Sequence, residues 1–160
     1  MKLNLVLREL HRAETALARN LRRAAERHKV EHEVHHVALD LAEWSARHVR
    51  DLAATARGHG LSLDAHTADH PGLPAPLRTT ISELAVHRPE PGLLLLRDLR
   101  ALHRATAGLS VDWELLAQAA QAAREPDLLA LAQRCHPDTL RQLKWTNATL
   151  KVLSPQILTS

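Results

Sequence analysis

Neither Gly nor Pro occurs between Met1 and Arg57. A stretch of that length without a helix-breaking residue is either one helix or two helices joined by a tight polar turn. The phase of the apolar residues separates these possibilities. Leu3, Leu7, Leu10, Glu14, Leu17, Leu21, Ala24 and His28 recur three or four apart, as one helical face does. Val30, Val34, Val37, Leu41, Trp44, His48, Leu52 and Thr55 do the same, but the step from 28 to 30 breaks the rhythm. The sequence therefore predicts one helix over about residues 3–28 and a second over about 31–57, folded back on each other near residue 29.

Gly58 and Gly60 end the second helix, and the stretch to Pro76 carries three Gly, three Pro and three His, so it reads as an irregular connection. A short helix over about 77–87 follows, with Leu77, Ile81, Leu84 and Ala85 on one face. Beyond Pro89-Glu90-Pro91-Gly92, a third long helix is expected over about 93–123. Its face is Leu95, Leu99, Leu102, His103, Thr106, Ser110, Trp113, Ala117 and Ala120. Glu125-Pro126-Asp127 turns into a fourth, about 127–153, and Pro126 suits a helix start. Its expected face is Leu128, Ala132, His136, Thr139, Leu143, Asn147 and Leu150, with Pro137 kinking or splitting it. The chain has no Phe and no Tyr, so the core must come from Leu, Ala and Val. The expectation is one all-α domain over residues 1–160: a four-helix bundle of two helical hairpins joined by a long connection with a short extra helix.

Composition narrows the function classes. The net charge is +3, and the 17 Arg are interleaved with Glu and Asp in no basic block. With no Phe or Tyr to stack on bases, nucleic-acid binding is not expected. The longest apolar run after the N-terminus, Leu128 to Ala132, is far too short to span a membrane. The run Leu3 to Leu7 is too short and interrupted for a signal peptide. Cys135, the single cysteine, cannot form an internal disulfide and suits a reducing compartment, so a cytoplasmic location is expected.

The chemistry-bearing candidates are polar residues at apolar positions. Glu14 lies mid-face on the first helix and His48 on the second, and antiparallel pairing brings them to similar depth. His28, His103, Thr106, His136 and Asn147 also face inward, so every long helix supplies at least one inward polar residue. One carboxylate with several imidazoles could hold zinc, iron or manganese, which makes Glu14, His48, His103 and His136 the candidate metal ligands. The reading favoured over a metal site is a set of separately satisfied groups, a Glu–His pair neutralising itself among them. His32 and His36, four apart with Asp40 in the same row, point away from the core. His59, Asp64, His66, Asp69 and His70 have the right types for zinc, but their spacing matches no closed site, and a solvated loop is expected. Ser45 lacks an elbow to present it, and Cys135 and His136, adjacent on a helix, diverge by about 100°. No catalytic residue is assigned. Opposite the core face of the fourth helix, Trp145, Ala148 and Val152 form a second apolar strip, a candidate surface for self-association or a protein partner.

Two hairpins of long helices joined by an extended connection, with Glu14 mid-helix and His48-Val49-Arg50-Asp51-Leu52 near the end of the second helix, resemble the ferritin-like superfamily. In its di-iron members two helices each give a Glu and two others each give Glu-x-x-His. The resemblance sets Glu14 at the first Glu and His48 at the first His. Ser45 stands three before His48 where that pattern has Glu, and the second half has no Glu-x-x-His. The resemblance thus implies a ferritin-like bundle acting by binding or assembly, without a standard di-iron centre. The other reading is a metalloprotein or metal-dependent oxidoreductase with a remade Glu/His site.

Overall fold

The structure, a computed structural model, describes residues 2–67 and 90–160. Four helices account for nearly all of them: α1 (Lys2–Arg27), α2 (His32–Arg57), α3 (Pro91–Ala123) and α4 (Pro126–Leu158). The chain is the all-α four-helix bundle that the apolar spacing predicts. The short helix expected at 77–87 lies outside the described residues, as does the later part of the connection.

Side-chain bonds fix the directions. α1 is antiparallel to α2, because Glu14 meets His48 while the Ala25 carbonyl meets His35. It is antiparallel to α3 too, since His28 meets Asp98 and Glu14 meets Trp113. α4 runs opposite to α3, through His103–Thr146 and Ser110–His136, and opposite to α2. Round the bundle the order is α1, α2, α4, α3, with α2 and α4 touching over the shortest stretch. α2 and α3 are therefore parallel and diagonal, and α2 ends at the opposite end of the bundle from the start of α3. Residues 58–67 begin that crossing along α1. Asn4 donates to the His59 carbonyl, His11 to the Asp64 carbonyl, and Arg22 to the Thr67 hydroxyl. Two antiparallel hairpins with one long crossover is a known way to wire a four-helix bundle.

The α1–α2 turn works without Gly or Pro because side chains close it. The His35 ring donates to the Ala25 carbonyl, one of the acceptors left open at the end of α1, at 2.7 Å. His28 reaches across to Asp98, which also takes Arg27. At the α3–α4 turn Arg124 adopts the left-handed conformation (φ 59°, ψ 45°), and the Glu125 N–H returns to the Ala120 carbonyl. Pro137 does not split α4, which is helical through to Leu158; the ring sits on the exposed side. Gly92 lets the start of α3 approach the end of α4, where a Cβ would come within 2.9 Å of Ile157.

The core is Leu and Ala with one aromatic. Leu7, Leu10, Leu17 and Leu21 of α1 pack with Leu41 and Leu52 of α2, Leu109 and Leu116 of α3, and Leu128 and Leu131 of α4. Each such side chain stabilises by about 1.5–3 kcal/mol on burial. Ala18, Ala24 and Ala25 on α1 and Ala38, Ala42, Ala53 and Ala56 on α2 are buried as well, so small side chains make up much of the inner surface of this hairpin. The face expected on α4 holds at Leu128, Ala132 and Thr139 but not at His136, Leu143, Asn147 or Leu150. Beyond Ala132 the buried residues are Cys135, Thr139, Gln142 and Thr146, while Asn147 is exposed and Leu143 and Leu150 are only half-buried. The α4 phase is rotated by about one residue, roughly 100°, from the sequence reading. With it Trp145 turns inward: it is half-buried and packs against both apolar clusters.

Candidate functional site

At mid-bundle each helix contributes one polar residue to a single connected network. Glu14 comes from α1, His48 from α2, Trp113 from α3 and Asp138 from α4. Glu14 is fully buried and accepts two bonds at Oε1, from His48 Nδ1 at 2.8 Å and from the Trp113 indole N–H at 2.9 Å. The other ring nitrogen of His48, Nε2, lies 3.2 Å from Asp138 Oδ2. Asp138 in turn accepts from Arg47 at 2.8 Å and Arg141 at 2.9 Å, whose guanidinium groups are largely in solvent. The chain of bonds thus runs from the deepest point of α1 to the surface of α4. Trp113 meets the His48 ring edge-on, with centroids 6.0 Å apart.

This geometry sets the charge of His48. Both of its neighbours are carboxylates, so both ring nitrogens donate, and only the imidazolium can do that. Burial pushes its pKa down, but the hydrogen bond and charge of Glu14, then those of Asp138, outweigh burial and hold it above the ordinary histidine value. For Asp138, burial pushes the carboxyl up, and the bonds from His48 and Arg47 more than reverse it. His48 pairs the buried Glu14, while Asp138 is paired by Arg47 and Arg141 as well, so each buried charge is opposed and hydrogen-bonded, the condition under which it is tolerated. One turn away Gln142 donates to the Leu41 carbonyl and the Ser45 hydroxyl, both at 3.0 Å. Polar groups thus bridge the middle of the α2–α4 seam. Among the described residues, Glu14 Oε2 and Gln142 Oε1 are buried without a partner.

The sequence candidates divide. Glu14 and His48 meet as their register requires. His103 and His136 do not join them. His103 Nδ1 lies 2.9 Å from Thr146 Oγ1, and since that hydroxyl donates to the Leu143 carbonyl, the histidine is the donor. His136 pairs with Ser110 at 2.9 Å. These four do not converge into a cluster of metal-ligand spacing. His28 is paired with Asp98, Thr106 bonds back to the Leu102 carbonyl, and His32 and His36 lie on the outer face. Cys135 is a free, buried thiol, pushed up by burial and by the charges of Glu14 and Asp51, and so stays protonated. In the connection His59 turns to Asp127 and His66 to Asp64, while Asp69 and His70 lie outside the described residues.

Sequence reading missed Asp138, Trp113 as a donor, and the Ser45–Gln142 pair. Trp113 lies on an apolar face that hides its N–H from a reading of hydropathy alone; a buried indole generally finds an acceptor. Asp138 and Gln142 belong to the misphased half of α4. The available signal was their spacing from Cys135 at three and seven residues.

No helix among the described residues is long and apolar enough to cross a membrane. Compared with protein-family models, curated proteins and solved structures, the chain matches none of them.

Proposed function

We propose that this chain is a ferritin-like helical bundle, without a standard di-iron centre, that acts by assembly on its surface, its partner a second copy of itself. The observation that carries this reading is the closed centre. Glu14, His48 and Trp113 are each 1% exposed or less, and both nitrogens of His48 are engaged as donors. An imidazolium has no lone pair for a metal, and a sealed pair admits no substrate. The single crossover between two hairpins supports the ferritin-like outline. A single cysteine with no internal disulfide partner suits a reducing compartment such as the cytoplasm. One observation favours the metal-dependent alternative: the unpartnered Oε2 of Glu14. Zinc, iron or manganese there would require His48 to give up a proton and a carboxylate partner.

The assembly surface is the groove where α2 begins and α4 ends, about 300 Å3 in volume. Val34, Trp145, Ala148, Val152 and Leu153 line it. Ala148 and Val152 are exposed, and Trp145 forms the floor. Glu31 and Glu33 edge the α2 side, and exposed Lys144 and Lys151 flank Ala148 on α4. A two-fold pairing sets the acidic edge of one copy against the basic edge of the other and covers both grooves.

Val152→Glu is the test. Val152 is 61% exposed, so the substitution leaves the fold alone. In a two-fold interface the lost burial counts twice, about 1.5–3 kcal/mol each time, so dimerisation should weaken by about 100-fold or more. Sedimentation should show wild-type dimer and Val152→Glu monomer with equal helicity by circular dichroism. A wild-type chain that stays monomeric at high concentration contradicts the reading. Trp145→Glu is the poorer probe, because it strikes the core as well.

A further inference from the structure

We propose that His59, Glu125 and Asp127 form a Zn2+ site that pins the end of α2 to the α3–α4 turn. The three come from two segments 66 residues apart in sequence (59 to 125), yet one ligand atom from each lies within 4.8 Å of the others. The His59 side chain is nine-tenths buried, with Nε2 directed at Asp127 Oδ2, 2.7 Å away. Tetrahedral zinc with bonds of about 2.0–2.1 Å holds its ligands roughly 3.3 Å apart. The ion would enter by parting the His59–Asp127 bond by about 0.6 Å and drawing Glu125 in, with water in the fourth position.

Both sides of the site are held in place. Gly58 and Gly60 make the turn that carries His59, with Gly60 at φ +72°, and the His59 N–H returns to the Ala56 carbonyl. Asn4 donates to the His59 carbonyl, and Leu61 just beyond is buried in the core. On the other side, left-handed Arg124 swings Glu125 round, and Leu128 anchors the start of α4 in the core. An imidazole with two carboxylates suits zinc better than calcium or magnesium, which take oxygen ligands. Bound there, the ion would cross-link three helices at the end of the bundle away from the proposed assembly groove, and the site is independent of that reading.

Isothermal titration of Zn2+ into the untagged, chelator-treated chain tests it. The expected result is one Zn2+ per chain with micromolar affinity, and a thermal midpoint that rises with free Zn2+. His59→Gln and Asp127→Asn, tested separately so that neither fold failure nor a single lost contact decides the matter, should each weaken binding by about tenfold or more. The double variant His32→Gln/His36→Gln, on the exposed outer face of α2, should bind as wild type. No saturable binding at millimolar Zn2+ would overturn the proposal. So would binding that survives His59→Gln, or that disappears with His32 and His36.

Discussion

Replacing His48 with Ala should destabilise the chain by about 3–5 kcal/mol, read as a fall in the urea midpoint. The cause is the stranding of a charge. Glu14 is fully buried, and without His48 it retains only the Trp113 N–H. Domains of ordinary stability have about 5–15 kcal/mol in hand, so this one side chain decides much of whether the chain folds. The milder pair Glu14→Gln and His48→Gln isolates the interaction. Each single change leaves a partner mismatched, whereas the double change removes both charges. The double variant should therefore lose less than the sum of the singles, with a coupling of about 1–3 kcal/mol. Additive losses would mean that the 2.8 Å contact does not bear on stability.

Trp113→Ala is the other large effect, about 3–5 kcal/mol. Trp113 is the largest fully buried side chain, the one aromatic at the centre of a Leu and Ala core. Two losses combine in it: a cavity that Leu neighbours cannot fill, and the second donor to Glu14 Oε1. Trp113→Phe separates them. It keeps most of the volume and removes the N–H, so about 1–3 kcal/mol of the loss should remain. If Phe is tolerated without cost, the indole N–H contributes nothing and Glu14 is held by His48 alone.

How far the fold can be read in advance depends on what the helices bury. α1 is legible almost residue by residue, because Leu3, Leu7, Leu10, Leu17 and Leu21 bury one apolar face interrupted at Glu14. Glu14 stands out against that background, and antiparallel pairing then finds His48. α4 resists because its inner face changes character halfway: after Ala132 the chain buries Thr139, Gln142 and Thr146, while Leu140 is exposed. A reading that follows leucines is carried one residue off. Asp138 disappears with the phase, and Trp145 is placed outward when it packs inward. His59 is a different case. Its partners Glu125 and Asp127 come from the far turn, and only the bundle's register brings them together.

The central claim is that the middle of the bundle holds an imidazolium bound between two carboxylates. Its sign against pH follows from the shifts. His48 is raised above its ordinary value of 6.5, so the folded chain holds that proton more tightly than the unfolded chain. Its contribution to stability is complete below about pH 6.5 and is lost as pH rises through the folded value. Asp138, lowered, acts at the other side: its share is present above the ordinary aspartate range and is lost as pH falls through its folded value. Stability should be greatest in mild acid and decline toward alkaline pH, and His48→Gln should flatten that decline. The direct measurement is nitrogen-15 NMR of the His48 ring in the intact chain at pH 7. Both Nδ1 and Nε2 should be protonated, with the titration displaced above that of free histidine. A neutral ring at pH 7, or a ring nitrogen bound to metal, would contradict the account.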